Sequence, residues 1–529
     1  MKKSRIAISL AITLVLVSVA INAQAVVKNG ASCSKVGSIT KVGTKKYICS
    51  RVGNKKVWRV QDAKPKPNPL PSTSSSPIPT SSPIPTPTPS PTPAQIDPKS
   101  YIGKECHWWG DRINIASDWL ECRPVAEMKL KWFFVEKTKP DPSLNSPQNN
   151  IQDCMIKDAR PVKNGLSSGF PLFKNVPAVG KVKVALIPID FSDTVGDYLA
   201  DGVAQPQIEK VDAWLKQFTN RKLSYDWQVT KDWIRNPKKI ADYGVASTTH
   251  FGYFDDRELV QDLLNTADPF VDFTGVKIVI FLFPRTITAL PIQVIGQNNR
   301  VFTTKEGSIS NYWGGGKFAY QQDYEKLLWA IWLHETLHMH GLPEHAPGNG
   351  WPLTITSNQY ATALAIDTWE SFLAGWLDEK SIVCIKQSEL KDLAVTLTPV
   401  DRNQTGTKSV MIPMSDHEIL VVESRRAEDF SSELPFGFYG ITAYIVDTSK
   451  DNDRSAESSG KDNGNDPTYS KFAYYLYSSS GIHPKLRLVR GQLDTNILAF
   501  EGESFIYKGV KITLVKSGDF DTIQIQKVG

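Results

Sequence analysis

The stretch WLHETLHMHGLPEHAPG (332 to 348) gathers four of the chain's eight histidines within a dozen positions. Its core, His334-Glu335-x-x-His338, sets two imidazoles four residues apart. On a helix that separation is little more than one turn, so both rings share a face. Two imidazoles in that arrangement can hold one zinc ion. Glu335, beside the first ring, can take the proton of a water that the metal makes acidic. The spacing H-E-x-x-H therefore predicts a hydrolytic zinc site with Glu335 as general base. With so few histidines in the chain, composition alone seldom produces the pattern.

Such a site needs a rigid helix. DYEKLLWAIWLHETLHMHG (323 to 341) supplies one with a strongly apolar face, and Gly341 stands where it must turn. Upstream, KVKVALIPIDFSD (181 to 193) and VKIVIFLFP (276 to 284) read as buried strands. LSYDWQVTKDWI (223 to 234) reads as a further strand. PQIEKVDAWLKQFTN (206 to 220) and DRELVQDLLNTA (256 to 267) carry helical spacing. Alternating strands and helices predict an α/β layer with a mainly parallel sheet. After residue 381 short strands take over, among them KSVMIPM, EILVVESRR, GITAYIVD, KLRLV and VKITLV, and predict an all-β C-terminal region.

The chain has 529 residues, 41% hydrophobic and 22% charged, an ordinary globular composition with room for several domains. Residues 1 to 25 read as a secretory signal: a basic start, the apolar run IAISLAITLVLVSVA and the small-x-small site AQA. No later stretch is long and apolar enough to span a bilayer, so no transmembrane segment is expected after cleavage. Charge is uneven. Residues 1 to 95 carry fourteen Lys and Arg against Asp62 alone, a balance of +13, which leaves −7 for residues 96 to 529 within the total of +6. A basic head on an acidic body suggests an appendage that binds acidic cell-envelope polymers; no nucleic-acid partner is expected.

Residues 61 to 98 are a linker in which Pro alternates with Ser and Thr, a composition that leans to polyproline II. A repeat flanks it. GASCSKVGSITKVGTKKYICSRVGNKKVW (within 26 to 60) and GKECHWWGDRINIASDWLECRPVAEMKLKW (within 99 to 136) share their Gly, Cys and Trp offsets, with sixteen residues from Cys33 to Cys49 and from Cys106 to Cys122. Equal spacing favours a bridge inside each copy and leaves Cys154 and Cys384 to pair. The alternative for Cys154 is a free thiol that masks a metal. Units this small need such a staple. The remaining divisions are 137 to 380, which holds the histidine motif, and 381 to 529.

HETLHMHGLPEH resembles the extended zinc motif of the metzincins. It is most similar to that of the immune inhibitor A type of secreted bacterial metalloprotease, the M6 peptidases, whose motif runs H-E-x-x-H-x-x-G-L-P-D. GKVKVALIPIDFSD, AIDTWESFLAGWL (365 to 377), ILVVESRRAEDF and GITAYIVDTS resemble further parts of that family, so the likeness covers roughly residues 165 to 529. It implies a zincin domain with His334 and His338 as zinc ligands and Glu335 as base. The third ligand falls on Glu344, where the family has Asp. His345, one step on, and Glu370, from the following helix, are the alternatives. Metzincins carry a methionine turn beneath the zinc; the equivalent here is LTITSNQY (353 to 360), with Thr356 in the methionine's place and Tyr360 near enough to be weighed as an oxyanion donor. The loop 447 to 468, rich in Asp and Asn, could bind Ca2+ or be a flexible polar loop. The expected activity is hydrolysis of peptide bonds in protein or peptide substrates by a secreted zinc endopeptidase. The rival expectation is a surface-binding or adhesion protein with a vestigial zincin fold.

Overall fold

The structure is a computed structural model. It describes residues 32, 39–42, 45–52, 55–60, 100–106, 112–115, 118–124, 130–134, 150–160, 166–173, 175–196, 200–244, 256–287, 290, 294–316, 324–343, 354–357, 363–432, 440–450, 473–476, 497–499 and 501–529. The chain divides into two compact units, Met1–Pro91 and Thr92–Gly529.

The first unit contains an antiparallel sheet of β1 (Ile39–Val42), β2 (Lys45–Val52) and β3 (Lys55–Val60). Cys49 is disulfide-bonded and lies opposite Trp58 across the sheet. Its expected partner Cys33 falls outside the described residues, as do the signal stretch and the Pro-rich linker.

The second unit opens with a sheet of the same order: β4 (Arg112–Ile115), β5 (Asp118–Pro124) and β6 (Leu130–Phe134). Here Cys122 lies opposite Trp132 and is bridged to Cys106. In both sheets the second cysteine of the repeat faces its tryptophan.

The α/β layer follows. Its sheet contains β7 (Gly180–Phe191), β8 (Leu223–Val229), β9 (Ile234–Asn236), β10 (Ile278–Leu282), β11 (Val294–Thr303) and β12 (Ser308–Gly314). The order is β11-β12-β10-β7-β8, with β9 paired to the end of β7. All pairings are parallel except that of the edge strand β11 with β12. Parallel strands are buried on both faces, which explains the nearly unbroken apolar runs of β7 and β10. Helices α1 (Ala200–Phe218), α2 (Arg257–Ala267) and α3 (Tyr324–Met339) share one apolar core with this sheet. The periodicity places the start of α1 at Pro206, but the helix begins at Ala200 and runs through that proline, which forgoes one helix hydrogen bond.

After helix α4 (Thr368–Leu373) the chain builds two β layers. One contains β13 (Ile382–Cys384), β15 (Ser409–Pro413), β16 (Glu418–Arg425), β17 (Gly440–Asp447), β18 (Ala473–Tyr475) and β19 (Ile497–Leu498). The other contains β14 (Leu393–Leu397), β20 (Ser504–Tyr507), β21 (Val510–Lys516) and β22 (Asp521–Lys527). Val410, Leu420 and Val422 of the first sheet share a core with Val395, Ile512 and Ile523 of the second. The first sheet's other face, through Met411, Ile419, Val421 and Tyr444, packs on Trp369 and Phe372 of α4 and on Cys154. The Cys154–Cys384 bridge ties the start of this body to β13, and no free cysteine occurs among the described residues. KLRLV (485 to 489) lies outside them. Among the described residues no helix is long and apolar enough to cross a membrane.

Candidate metal centre

Helix α3 is buried on every side from Leu328 to Leu333, so it runs through the core rather than over it. The polar turn that follows is buried too: His334, Glu335 and His338 are at most 5% exposed. Polar groups withdrawn this far from water need partners.

The end of the helix provides the first. Gly341 adopts φ 96°, the left-handed region. The Gly341 N–H donates to the His338 carbonyl (2.9 Å) and the Leu342 N–H to the Leu337 carbonyl (3.3 Å), the pair of bonds that defines a Schellman cap. No other residue suits the position, because a Cβ there would run into the Phe173 carbonyl. The cap folds the chain back so that the Leu342 carbonyl lies 3.2 Å from His338 Nδ1.

His334 finds the equivalent support from a distant segment. Its Nδ1 lies 2.7 Å from the carbonyl of Ile355. A carbonyl oxygen only accepts, so each imidazole must carry its proton on Nδ1. The two Nε2 atoms turn toward each other and stand 3.1 Å apart with the rings nearly perpendicular, and in neutral rings protonated on Nδ1 both would present lone pairs. Two lone pairs at that distance repel unless a proton or a cation lies between them. Zinc–nitrogen bonds of about 2.0–2.1 Å at a tetrahedral angle would put two such atoms about 3.3–3.4 Å apart. The pair fits one zinc ion, and the backbone carbonyls behind it are the usual outer partners of metal-binding histidines.

Glu335 is buried beside His334. Glu344 and His345 lie outside the described residues, as does Tyr360. Among the described residues no cluster of three metal-binding side chains forms. Glu370 does not complete one. Its Oε2 instead accepts a hydrogen bond from Thr356 Oγ1 (2.6 Å) and a long one from Thr354 Oγ1 (3.5 Å). The carboxylate is turned into the protein, toward the two residues that flank Ile355. Thr356 is fully buried and serves as a donor where the family resemblance would place a methionine.

Glu370 begins a buried polar network that sequence reasoning missed. Asp367 caps α4 by accepting from the Glu370 N–H (2.8 Å), and Tyr444 donates to it at 3.3 Å. Glu423 accepts from the Thr368 N–H and hydroxyl (2.9 and 2.8 Å) and from Arg425 (3.0 Å). Arg425 also forks onto Asp401 (3.2 and 3.1 Å) and is wholly buried. Arg426 pairs with Asp521 behind it. Burial, then the charge of Glu423, pushes the Asp367 carboxyl up to about 7. Burial and the neighbouring Asp367 hold Glu370 well above the usual carboxylate range. Glu370 Oε1 and Asp367 Oδ2 have no donor if both acids are ionised. A proton kept on Glu370 and donated to Asp367 satisfies both.

His340 stands apart from the metal-facing pair. It is fully buried, stacks on Tyr225 and meets that hydroxyl through Nε2 (2.9 Å). Burial pushes it down to about 4, so it is neutral packing behind the helix. The loop considered for calcium is described only to Lys450, where Asp447 Oδ1 accepts from the backbone N–H and hydroxyl of Ser449 (3.0 and 2.5 Å).

The fold and site together define an α/β protein with β-rich C-terminal layers and a buried pair of facing histidines. No protein-family model matches the chain, and no curated protein matches it.

Proposed function

We propose that the chain is an exported zinc-dependent endopeptidase of the metzincin type, built like the immune inhibitor A proteases that its motif resembles. The observation that carries this reading is the facing of His334 Nε2 and His338 Nε2 at 3.1 Å, each ring held by a main-chain carbonyl on the other side. His334, His338 and Glu344 would hold the ion, with His345 the alternative for the third place. Bound zinc supplies Lewis-acid activation of a water and of the scissile carbonyl. With the ion in place, Glu335 would serve as the general base and then carry the proton to the leaving amine. The buried walls around α3 exclude bulk water, which strengthens each of these interactions. The two bridges that are described, Cys106–Cys122 and Cys154–Cys384, suit an oxidising compartment. The basic sheet of the first unit would hold the enzyme near acidic envelope polymers.

The test is casein cleavage by the full chain, with and without chelator, beside Glu335→Ala and with bound zinc quantified. Chelator-sensitive cleavage that Glu335→Ala lacks is the expected result. Equal cleavage by both proteins ends the protease reading. Zinc bound without cleavage in either shifts it to a surface-binding protein that kept the fold.

A further inference from the structure

The segment that steadies His334 is itself steadied by acids. Ile355 is fully buried, its N–H donates to the Ala365 carbonyl (2.8 Å), and its own carbonyl faces His334 Nδ1 at 2.7 Å. Its neighbours Thr354 and Thr356 are also fully buried, and their hydroxyls lie 3.0 Å apart. Thr356 donates to Glu370 Oε2 at 2.6 Å, and the Asp367 N–H donates to the Thr354 hydroxyl at 3.3 Å. Helix α4 fixes Glu370 in turn, because Asp367 caps it and Trp369 and Phe372 anchor it against the first β layer. A continuous set of hydrogen bonds thus runs from α4 through the 354–356 turn to the first histidine. The same turn holds both the histidine's acceptor and the two hydroxyls that bind the acid.

We infer that Glu370 is a positioning residue for the metal centre: through Thr356 it fixes the Ile355 carbonyl, and through that carbonyl the tautomer and orientation of His334. This rests on the zinc reading above. A thioether at residue 356 could pack beneath the site but could not bind Glu370, so the hydroxyl here does a different task from a packed methionine. Outer-shell partners of metal-binding histidines typically change metal affinity 10–100-fold when removed.

The experiment is zinc affinity of the full chain by chelator competition, together with nitrogen-15 shifts of the His334 ring in the metal-free protein. Thr356→Val, nearly isosteric, removes only the hydroxyl; Thr356→Ser restores it. Glu370→Leu removes the acceptor; Glu370→Gln keeps one. Expected are a 10–100-fold loss of zinc affinity in Thr356→Val and Glu370→Leu, near wild-type affinity in Thr356→Ser and Glu370→Gln, and a His334 ring that leaves the pure Nδ1–H form only in the first two. Should Glu370→Leu fail to fold, Thr356→Val carries the test alone. A folded Thr356→Val that binds zinc as tightly as wild type overturns the inference, and so does a Thr356→Ser as weak as the valine variant. Wild type that binds no zinc overturns the metal reading itself, whereas wild type and variants that bind equally overturn only the role of Glu370.

Discussion

The histidine pair on α3 and the carboxylate–arginine network around α4 are both polar, both buried and joined through one turn, yet they are completed in different ways. In the network, acids meet bases or one another: Arg425 answers Asp401 and Glu423, Arg426 answers Asp521, and Glu370 shares a proton with Asp367. In the pair, the outer nitrogens are matched to carbonyls while the inner ones face each other at 3.1 Å. The network is a set of opposite charges and shared protons, and the pair is two like groups brought face to face, the arrangement on which the zinc proposal rests. Burial alone therefore does not distinguish a structural polar cluster from a binding site. What each buried group meets is the better guide: opposite charges in the network, a second imidazole in the pair.

The comparison breaks most sharply at Glu335. If the pair serves hydrolysis, Glu335→Gln lowers the rate by about 10²–10⁴-fold, the usual worth of a positioned proton carrier. Zinc content should be unchanged, as read by metal analysis of the same sample. A Glu335→Gln that keeps the wild-type rate would remove the general base from the scheme. The network should answer in stability instead. Arg425→Met leaves Asp401 and Glu423 buried without their shared cation, and breaking a buried pair from one side costs about 3–5 kcal/mol. Urea unfolding measures it, and a loss below about 1 kcal/mol would mean that the acids simply take up protons at little cost.

Acid–base behaviour sharpens the same contrast. The Asp367 carboxyl is pushed up from 3.8 to about 7, first by burial and then by Glu423. The folded protein therefore keeps a proton that the unfolded chain releases. Stability from this group is complete below about pH 4 and is lost as the pH rises to about 7. Asp367→Asn still caps α4 but cannot titrate. The wild type should lose on the order of 2–4 kcal/mol relative to that variant between pH 4 and pH 8, discounted for its coupling to Glu370. Parallel pH–stability curves for the two proteins would show that Asp367 ionises normally.

How much of this was legible beforehand follows from the physics of each part. The histidine helix was plain, because HETLH follows the apolar LLWAIWL and Gly341 stops it. The parallel sheet was legible in the runs of β7 and β10, whereas β11 and β12 were not, since VIGQNNRVFT and SISNYWG lack a clean alternation. The network was hidden by good local disguise. Asp367 and Glu370 stand at capping-box spacing, and in the sequence Glu370 reads only as an alternative zinc ligand. Glu423 and Arg425 lie at the end of an apolar strand, where no spacing in the sequence marks them as buried partners. They are buried because α4 covers one face of their sheet and the second β layer covers the other. The supports of the histidines, Ile355 above all, were hidden for another reason. A main-chain carbonyl carries no side-chain signature, so only the folded chain brings it to His334.

Thr356 joins the two regions and gives the smallest and most discriminating test. Methionine there would restore the residue that the family resemblance leads one to expect, and its flexible thioether adapts well to irregular gaps. Packing alone would then favour the change. The hydrogen bonds oppose it, because the fully buried Glu370 Oε2 would lose its 2.6 Å donor and keep only the long contact from Thr354. A buried acceptor left unsatisfied costs about 1–3 kcal/mol, so Thr356→Met should destabilise the protein by that amount. It should also weaken zinc binding, since the turn that presents the Ile355 carbonyl would lose its tether. A Thr356→Met protein as stable as wild type and equally avid for zinc would show that the turn supports the metal by packing. The network and the histidine pair would then be neighbours without a functional link.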